Sequence, residues 1–235
     1  MKMSERKLLL ELQSSLAPRF FTTEQFHDYV KTTVDIEGSD RSINRWLDAL
    51  SSVRILKKVR RGLFLNGLSK PQVKLAEVVH LVRSGAVVDL MTVLGECGAL
   101  NNLPTTVTCI IPLRVGIPTP SVGLVETEVG KVQFFGMSSS VFYAGLAADR
   151  EATTTYKRST PEAALLNWIY LSENGRSRLT PPPLDIDLSS LDKKALSRLA
   201  RAKGLTAQYE AWKERVLDYQ SSPNVQANSL VVLGF

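Results

Sequence analysis

Three polar residues recur at the spacing that places side chains on one side of an α-helix. They are Arg41, Asn44 and Arg45, and Ser42 lies in the same turn. Residues three and four positions apart are neighbours on a helix surface. Arginine bonds guanine edges or phosphates and asparagine bonds adenine, so this helix face carries the chemistry needed in a DNA major groove.

A basic hairpin is predicted directly after this helix. Beyond residue 52 the period of the apolar residues changes from helical to extended, which favours two short strands around the turn Arg60-Arg61-Gly62. Lys57 and Lys58 alternate sides along the first strand, so we expect one of the two to face DNA. The DNA-binding residues that the spacing and charge predict are the polar and basic residues of helix and hairpin: Arg41, Asn44, Arg45, Lys57, Lys58, Arg60 and Arg61.

The opposite side of the same helix is apolar. Ile43, Trp46, Leu47 and Leu50 follow the spacing of a single buried stripe if the helix begins near residue 40. Trp46 has an alternative role, in which it stacks on a base beside the polar face. Its position within the apolar stripe favours packing in the core.

The positive charge of the chain is concentrated near its N-terminus. The formal net charge is +6, and residues 1–70 hold 13 Lys and Arg against 8 Asp and Glu. Between Arg41 and Arg61 there are seven basic residues and one acid, Asp48. Such a local surface attracts polyanions. A solvated basic face that serves solubility is the alternative, and the helix and hairpin pattern favours nucleic-acid binding over it.

Two helices are predicted before the polar one. The first spans residues 4–16. Its buried side consists of leucines: Leu8, Leu9, Leu12 and Leu16. The second begins with a capping box of Thr22 and Gln25, and Phe21 and Phe26 flank the cap as a hydrophobic staple.

Three helices and a two-stranded hairpin within 67 residues match the element order of a winged helix-turn-helix domain. We therefore assign residues 1–68 to a winged helix-turn-helix DNA-binding domain, with residues 35–38 in a loop before its third helix. Residues 71–235 are assigned to a mixed α/β domain whose C-terminal part is helical. The predicted fold class is α+β.

Helices and strands alternate in the first half of this second region. A helix is predicted from Val73, and the apolar run at residues 87–100 indicates a buried helix. The β-branched run at residues 105–111 predicts a strand that Pro112 ends.

A hairpin and three helices are predicted after that strand. Residues 122–129 and 132–137 flank Gly130-Lys131, which suits a two-residue turn. The helices begin at Thr160-Pro161, at about residue 191 and at about residue 206. The tail at residues 221–235 is polar and then apolar, and disorder, strand exchange and docking are all compatible with it.

Cysteine use and hydropathy indicate the compartment. Cys97 and Cys109 show no CxxC pairing and sit in apolar contexts, as expected for buried thiols in a reducing compartment. No apolar run approaches the roughly 18 residues of a membrane span, and the N-terminus lacks a small-residue cleavage site. We therefore expect a cytoplasmic protein with no membrane partner, no metal and no cofactor.

One set of residues has the residue types of an enzyme site. A nucleotidyltransferase needs a Gly-Ser turn for phosphate and an Asp-x-Asp pair for magnesium, and the chain has Gly38-Ser39 and the pair Asp185 and Asp187. Nearly 150 residues separate the two parts. A helix cap and an ordinary loop are the favoured interpretation.

Other reactive side chains lack the spacing of a site. His27 and His80 lie on separate predicted helices, without further ligands at metal-binding spacing. Packing or surface roles are favoured for both. The serine run 138–140 follows a predicted strand, where serines usually form turns. We therefore predict that the protein is not an enzyme.

Two motifs carry a resemblance to a known family. With RRGLFLNG at residues 60–67 and STPEAALLNWIYL at residues 159–171, the chain resembles the AbiEi antitoxin family of transcriptional regulators. That family has an N-terminal winged helix whose wing reads R-G-L-(Y/F), then a mixed α/β domain with a helix opening T-P-E-x-A-L-L-(D/N). The resemblance covers about residues 4–205. Asn167 stands where an acid is common, and the region after Lys203 is shorter than in many relatives.

The resemblance implies an antitoxin of a type IV toxin-antitoxin system. Such a protein represses its own promoter through repeated operator sites on double-stranded DNA. It also counteracts a nucleotidyltransferase toxin encoded beside it, with no stable complex expected. The resemblance assigns DNA reading to Arg41, Ser42, Asn44 and Arg45, and the wing to Arg60 and Arg61.

A second hypothesis belongs to another functional class. In it the chain is a protein-interaction module whose mixed domain binds and neutralises a partner toxin directly. Co-purification with a neighbouring gene product would favour this alternative over DNA binding as the main function.

Overall fold

The computed structural model describes residues 3–34, 39–116, 118, 121–145 and 156–222. They form a mixed structure of α-helices and two β-sheets, which confirms the predicted α+β class. The predicted loop at residues 35–38 and the tail beyond residue 222 lie outside the described residues.

The chain divides into two compact units. The first contains the described residues of 1–84 together with 126–131, and the second contains those of 85–125 and 132–235. The domain ranges that the sequence indicates, 1–68 and 71–235, stay a prediction.

In the first unit, helices accompany a three-stranded antiparallel sheet. Its elements are α1 (Met3–Gln13), β1 (Phe20–Thr22), α2 (Thr23–Thr32), α3 (Asp40–Ser52), β2 (Leu56–Arg60), β3 (Leu63–Asn66) and α4 (Leu75–Val82). The strand order is β1-β3-β2, so β3 lies between the other two. The predicted hairpin is present as β2 and β3. Strand β1 is not evident from the sequence, because three residues are too few for an alternating pattern to be recognised.

One apolar cluster packs the helices of the first unit together. α2 contributes Phe26 and Val30, and α3 contributes Ile43 and Leu47, all of them buried. The residues that the 3.6-residue period places on the inner face of each helix are therefore the buried ones.

The start of α2 follows the sequence prediction closely. The Thr22 side chain accepts a hydrogen bond from the Gln25 N–H, and the Gln25 side chain accepts one from the Thr22 N–H. The rings of Phe21 and Phe26 meet edge to face with centroids 5.6 Å apart. The capping box and the staple are both confirmed.

The first helix is shorter than predicted. Leu8 and Leu12 are buried, but α1 ends at Gln13 and Leu16 is 91% exposed. The Leu16 N–H bonds to the side-chain oxygen of Ser14, which turns the chain away from the helix axis. The prediction that Leu16 belongs to the buried side is wrong.

Buried Asn66 connects the end of β3 to α1. Its side-chain nitrogen donates to the carbonyls of Leu12 at 2.9 Å and Pro18 at 3.2 Å, and its side-chain oxygen accepts from the Leu68 N–H at 3.0 Å. Buried polar groups without partners are costly, so this one side chain satisfies three backbone groups at once. It thereby fixes the base of the hairpin.

The second unit contains a four-stranded sheet and further helices. Its elements are β4 (Val87–Val88), α5 (Met91–Glu96), β5 (Thr106–Leu113), β6 (Gly123–Thr127), β7 (Gly130–Ser138), α6 (Ser139–Tyr143), α7 (Pro161–Glu173), α8 (Lys193–Lys203) and α9 (Thr206–Ser221). The strand order is β4-β5-β7-β6. Residues 126–131, the tip of the β6–β7 hairpin, belong to the first unit.

The prediction of one helix over residues 87–100 is wrong. These residues form the short strand β4 and the six-residue helix α5, with Asp89 and Leu90 between them. Leu90 has φ +57°, a conformation in which a right-handed helix cannot continue. Periodicity misses this break because the residues on both sides of it are apolar.

The strand over residues 105–111 is longer than predicted. β5 passes through Pro112 and ends at Leu113. β4 pairs with Cys109 and Ile110, so Pro112, which has no N–H to donate, lies beyond its short neighbour on that side.

The turn of the second hairpin is displaced by two residues from its predicted position. Glu128 and Val129 form the turn, and Gly130 begins β7 with φ +140°. The hydroxyl of Thr127 donates to the Gly130 carbonyl at 2.7 Å and accepts from the Val129 N–H at 3.1 Å. This side-chain closure explains why the turn precedes Gly130-Lys131.

The three later helices agree with the prediction in position. Thr160 caps α7 by accepting from the Ala163 N–H at 3.2 Å, and Gly204 ends α8 with φ +69°. α9 buries Tyr209 and Trp212.

Candidate functional site

The N-terminus of α3 is fixed by a serine pair. The side-chain oxygen of Ser39 accepts a hydrogen bond from the Ser42 N–H at 3.3 Å, and the two hydroxyl oxygens are 3.1 Å apart. α3 therefore begins at Asp40, as the sequence indicates. Ser42 is half-buried and already engaged in this cap.

α3 divides into two faces. The buried face consists of Ile43, Leu47 and Leu50. The exposed polar face includes Arg41, Asn44 and Arg45. Trp46 is half-buried and packs against the apolar cluster of the first unit, in agreement with a packing role. The predicted positions of these side chains are confirmed, and their contact with DNA stays a prediction.

The β2–β3 hairpin places cations in solvent. Lys58 and Arg60 on β2 are exposed, as is Arg61 in the turn, whereas Lys57 is half-buried. A β-bulge between Lys58 and Arg60 interrupts the simple alternation of the strand. Gly62 closes the turn at φ +76°, where a side chain would be strained.

The arginines of α3 and of the hairpin have no ion pair within the described part of the chain. No carboxylate there pairs with Arg41, Arg45, Arg60 or Arg61. Arg54, exposed at φ +58° between α3 and β2, adds another cation. Arg54 contributes to the local positive charge but is not among the predicted site residues. Charges that no acid neutralises are available to a polyanion.

An acidic residue covers the outer edge of the hairpin. The Glu128 carboxylate accepts from the Lys58 N–H at 2.9 Å, and the Glu128 N–H donates to the Lys58 carbonyl at 3.3 Å. Uncovered strand edges pair with other chains, so this contact protects the edge of β2. The two residues are 70 positions apart, and no local pattern predicts their contact. Arg54, Lys57 and Glu128 also line a cavity of about 370 Å³.

Four side chains join α2 to the polar face of α3. Lys31 Nζ is 2.7 Å from Asp40 Oδ1, and His27 Nε2 is 2.8 Å from Asn44 Oδ1. His27 Nδ1 lies 3.5 Å from the same Asp40 oxygen. The hydrogen bond and charge of Lys31 lower the pKa of Asp40. A packing or surface role is predicted for His27 from the sequence. The signal for a further role is the four-residue spacing of His27 and Lys31 on α2 and of Asp40 and Asn44 on α3, which places the two residues of each helix on one face.

A buried polar cluster lies in the second unit. Asp89 is fully buried and accepts hydrogen bonds from the Leu90 N–H at 2.6 Å, from the Asn167 amide at 3.0 Å and from the Ser159 hydroxyl. Burial raises the pKa of Asp89 to about 6. Burial also lowers the pKa of Lys203 to about 8, and the positive charge of Lys203 acts on Asp89.

The location of this cluster favours a structural role. A fully buried carboxylate is not reachable by a substrate without rearrangement, and its three donors occupy its oxygens. An acid at position 167 would place two carboxylates together, whereas the Asn167 amide donates to Asp89.

The suspected nucleotidyltransferase residues have local structural contacts. Asp187 accepts the Ser189 N–H at 2.8 Å, and Asp185 accepts from the Asn101 amide at 3.0 Å. Gly38 lies outside the described residues. The hydroxyl oxygens of Ser138 and Ser140 are 2.8 Å apart.

The described part of the chain contains no group of three or more His, Cys, Asp or Glu residues that could hold a metal ion. Nor does it contain a helix of the length and apolarity required to cross a membrane. Burial raises the pKa of the Cys109 thiol, which makes it unreactive.

No protein-family model and no curated protein matches the chain. Among solved structures it is similar to the crystal structure of the RV2827C protein from Mycobacterium tuberculosis. The identity is 15%, the likeness covers 92% of this chain and 82% of that chain, and the TM-score is 0.46. A likeness at this level gives no support to any particular function.

The raised pKa of Asp89 predicts a pH dependence of stability. Because the folded pKa of about 6 exceeds the unfolded value of about 3.9, its favourable contribution is present below pH 4 and is lost as pH rises through 6. The loss is roughly 2–3 kcal/mol.

Chemical denaturation of the full chain at pH 4.5 and pH 7 measures this effect. Replacement of Asp89 by Asn should remove the part of the pH dependence that comes from the Asp89 carboxyl. The other titrating groups contribute equally to both proteins, so the difference between them isolates Asp89. An unchanged difference between the two pH values would contradict the assignment to Asp89.

Proposed function

We propose that this chain is a DNA-binding transcriptional autorepressor and antitoxin of a type IV toxin-antitoxin system, counteracting a nucleotidyltransferase toxin. One observation carries the DNA-binding part. α3 buries one face in the core and presents Arg41, Asn44 and Arg45 on the other, and an exposed basic hairpin follows it in the same compact unit.

In the proposed arrangement the first unit acts as a winged helix-turn-helix. α3 enters the major groove and the β2–β3 hairpin is the wing, whose tip contacts phosphate or the minor groove. The order of three helices and a hairpin supports this, as does the pairing of β1 with β3 from Leu65 to Leu63.

Affinity and sequence preference are assigned to different residues. Arg60 and Arg61 at the tip, with the exposed Lys58, supply charge to phosphates without reading sequence. Asn44 and Arg45 supply the hydrogen-bonding geometry that distinguishes bases. Ser42 is engaged in the cap of α3. A phosphate contact at this first turn of the helix suits it better than a base contact.

The antitoxin part rests on the resemblance of residues 60–67 and 159–171 to the AbiEi family. In the proposed system the chain represses its own promoter on double-stranded DNA in the cytoplasm. Protection against the toxin is assigned to the second unit.

Arg45 provides the direct test of sequence reading. Arg45→Ala should cost about 1–3 kcal/mol on the cognate site if it bonds a base, and less on random DNA. Gel-shift titrations with both DNAs measure the difference. Arg215→Ala, which removes one exposed charge from α9, is the matched control and should change neither.

Equal losses on both DNAs would make Arg45 a phosphate contact. No loss on either DNA would remove Arg45 from the interface.

The wing cations predict a change in salt dependence. Arg60→Ala with Arg61→Ala should reduce the slope of log affinity against log salt by about 2, roughly one for each phosphate that the wing no longer neutralises. The affinity should fall for every duplex sequence. Binding at several salt concentrations measures the slope, and a slope equal to that of the wild type would exclude the wing from the interface.

The protein-interaction alternative has one observation in its favour. The second unit contains a cavity of about 610 Å³, whose lining includes apolar Phe135 and Met137 and basic Arg114 and Arg176. None of the residues that line it is acidic. Such a surface would accept an acidic segment of a partner protein.

Co-expression with the adjacent toxin separates the two candidates. The leading proposal expects protection from growth arrest without co-elution in gel filtration. Direct neutralisation expects co-elution that is lost in Arg114→Glu with Arg176→Glu. The matched control is the double change of Arg60 and Arg61 to Ala, which should leave both protection and elution unchanged.

A further inference from the structure

Asn44 is held by a residue of the neighbouring helix. Its side-chain oxygen lies 2.8 Å from Nε2 of His27 on α2. Asn44 itself is exposed, whereas the His27 side chain is only 16% exposed. An exposed helical side chain is therefore anchored to one that packing has already immobilised.

We infer that His27 is a positioning residue that sets the sequence preference of α3, because it holds the Asn44 carboxamide in the plane needed for base recognition. The inference rests on the proposed DNA-binding function and adds a residue to which sequence reasoning gave no such role.

The physical basis is preorganisation. Bidentate recognition of adenine requires the amide oxygen to accept and the amide nitrogen to donate in one plane. A free asparagine samples several rotamers and loses that freedom when DNA binds. A carboxamide that is already oriented loses less conformational entropy on binding. The resulting gain in affinity occurs only at a DNA site that has a matching base.

His27 is itself oriented from two sides. Its Nδ1 faces Asp40 at 3.5 Å, and Asp40 pairs with Lys31 at 2.7 Å. His27 and Lys31 are four residues apart on α2, and Asp40 and Asn44 are four residues apart on α3. The facing turns of the two helices therefore interlock through two pairs of side chains.

The hydrogen bond between His27 and Asn44 has one direction in this geometry. Nε2 faces the amide oxygen, so an Nε2–H donates to Asn44, as in the charged imidazole and in the neutral tautomer that carries its proton on Nε2. The neutral tautomer with its proton on Nδ1 would bond the amide nitrogen only if the carboxamide turned over. With Nε2–H as the donor, both amide N–H groups and one oxygen lone pair of Asn44 remain available to a base.

A purely structural connection between α2 and α3 is the competing interpretation. In that case removal of His27 would shift α3 as a whole and would weaken binding to all DNA equally. A positioning role instead makes the loss specific to the cognate sequence and dependent on Asn44. These two consequences are measurable separately.

The test uses a duplex selected from a random pool by the full wild-type chain, with an unselected duplex as reference. Affinities are measured for the wild type, His27→Ala, Asn44→Ala and the double variant. We expect His27→Ala to lower the ratio of selected to unselected affinity by about 3- to 10-fold. The double variant should lose no more than Asn44→Ala alone.

Two further variants complete the experiment. His27→Gln, whose amide can also bond Asn44, should restore part of the ratio. Glu24→Ala, exposed on the same helix, should leave the ratio unchanged. Thermal unfolding of each variant identifies any that fails to fold.

The outcomes distinguish this inference from the proposed function. If the wild type selects no sequence, sequence-specific DNA binding is refuted and the inference with it. If the wild type selects a sequence, the inference alone is overturned by an unchanged ratio in His27→Ala, by equal losses on both duplexes, or by losses that add in the double variant.

Discussion

The orientation of α3 follows from the burial of Ile43, Leu47 and Leu50, which leave water only if the opposite helix face turns outward. Full burial of such a side chain stabilises by roughly 1.5–3 kcal/mol. An exposed ion pair contributes roughly 0–1 kcal/mol. Hydrophobic packing therefore decides the direction in which Arg41 and Arg45 point, and their charges have little influence on it.

The hairpin depends on a different interaction, the satisfaction of backbone groups. Asn66 bonds three backbone groups at the base of β3, and Glu128 covers the free edge of β2. With β1 on the other side of β3, the hairpin has a partner on each side, and Arg60 and Arg61 at its tip remain exposed. The tip cations are thus carried by a supported element while they remain exposed.

Two degrees of order coexist on the candidate DNA-binding surface. The tip arginines, Arg60 and Arg61, have no ion pair with an acid among the described residues, which suits contacts to phosphates at variable positions. Asn44 is bonded to His27, which suits recognition of a base in one geometry. In the second unit, by contrast, Ser159 and Asn167, which donate to Asp89, are buried.

Patterns within a few residues predict those parts of the fold that depend on local spacing. The capping box at Thr22, the two faces of α3 and the glycine end of α8 all follow from them. Local pattern fails at Leu16, where a hydrogen bond to Ser14 turns the chain out of the helix. It fails again across residues 87–100, where Leu90 at positive φ breaks a continuous apolar run. It also misplaces the turn that Thr127 closes.

The sequence alone thus determined which residues of the polar face of α3 are exposed, because amphipathic spacing is a local property. Only the tertiary structure decided what restrains them. His27 and Asn44 are 17 residues apart, and Lys58 and Glu128 are 70 apart. Contacts between residues so distant along the chain depend on how packed elements meet, and no short-range periodicity encodes that.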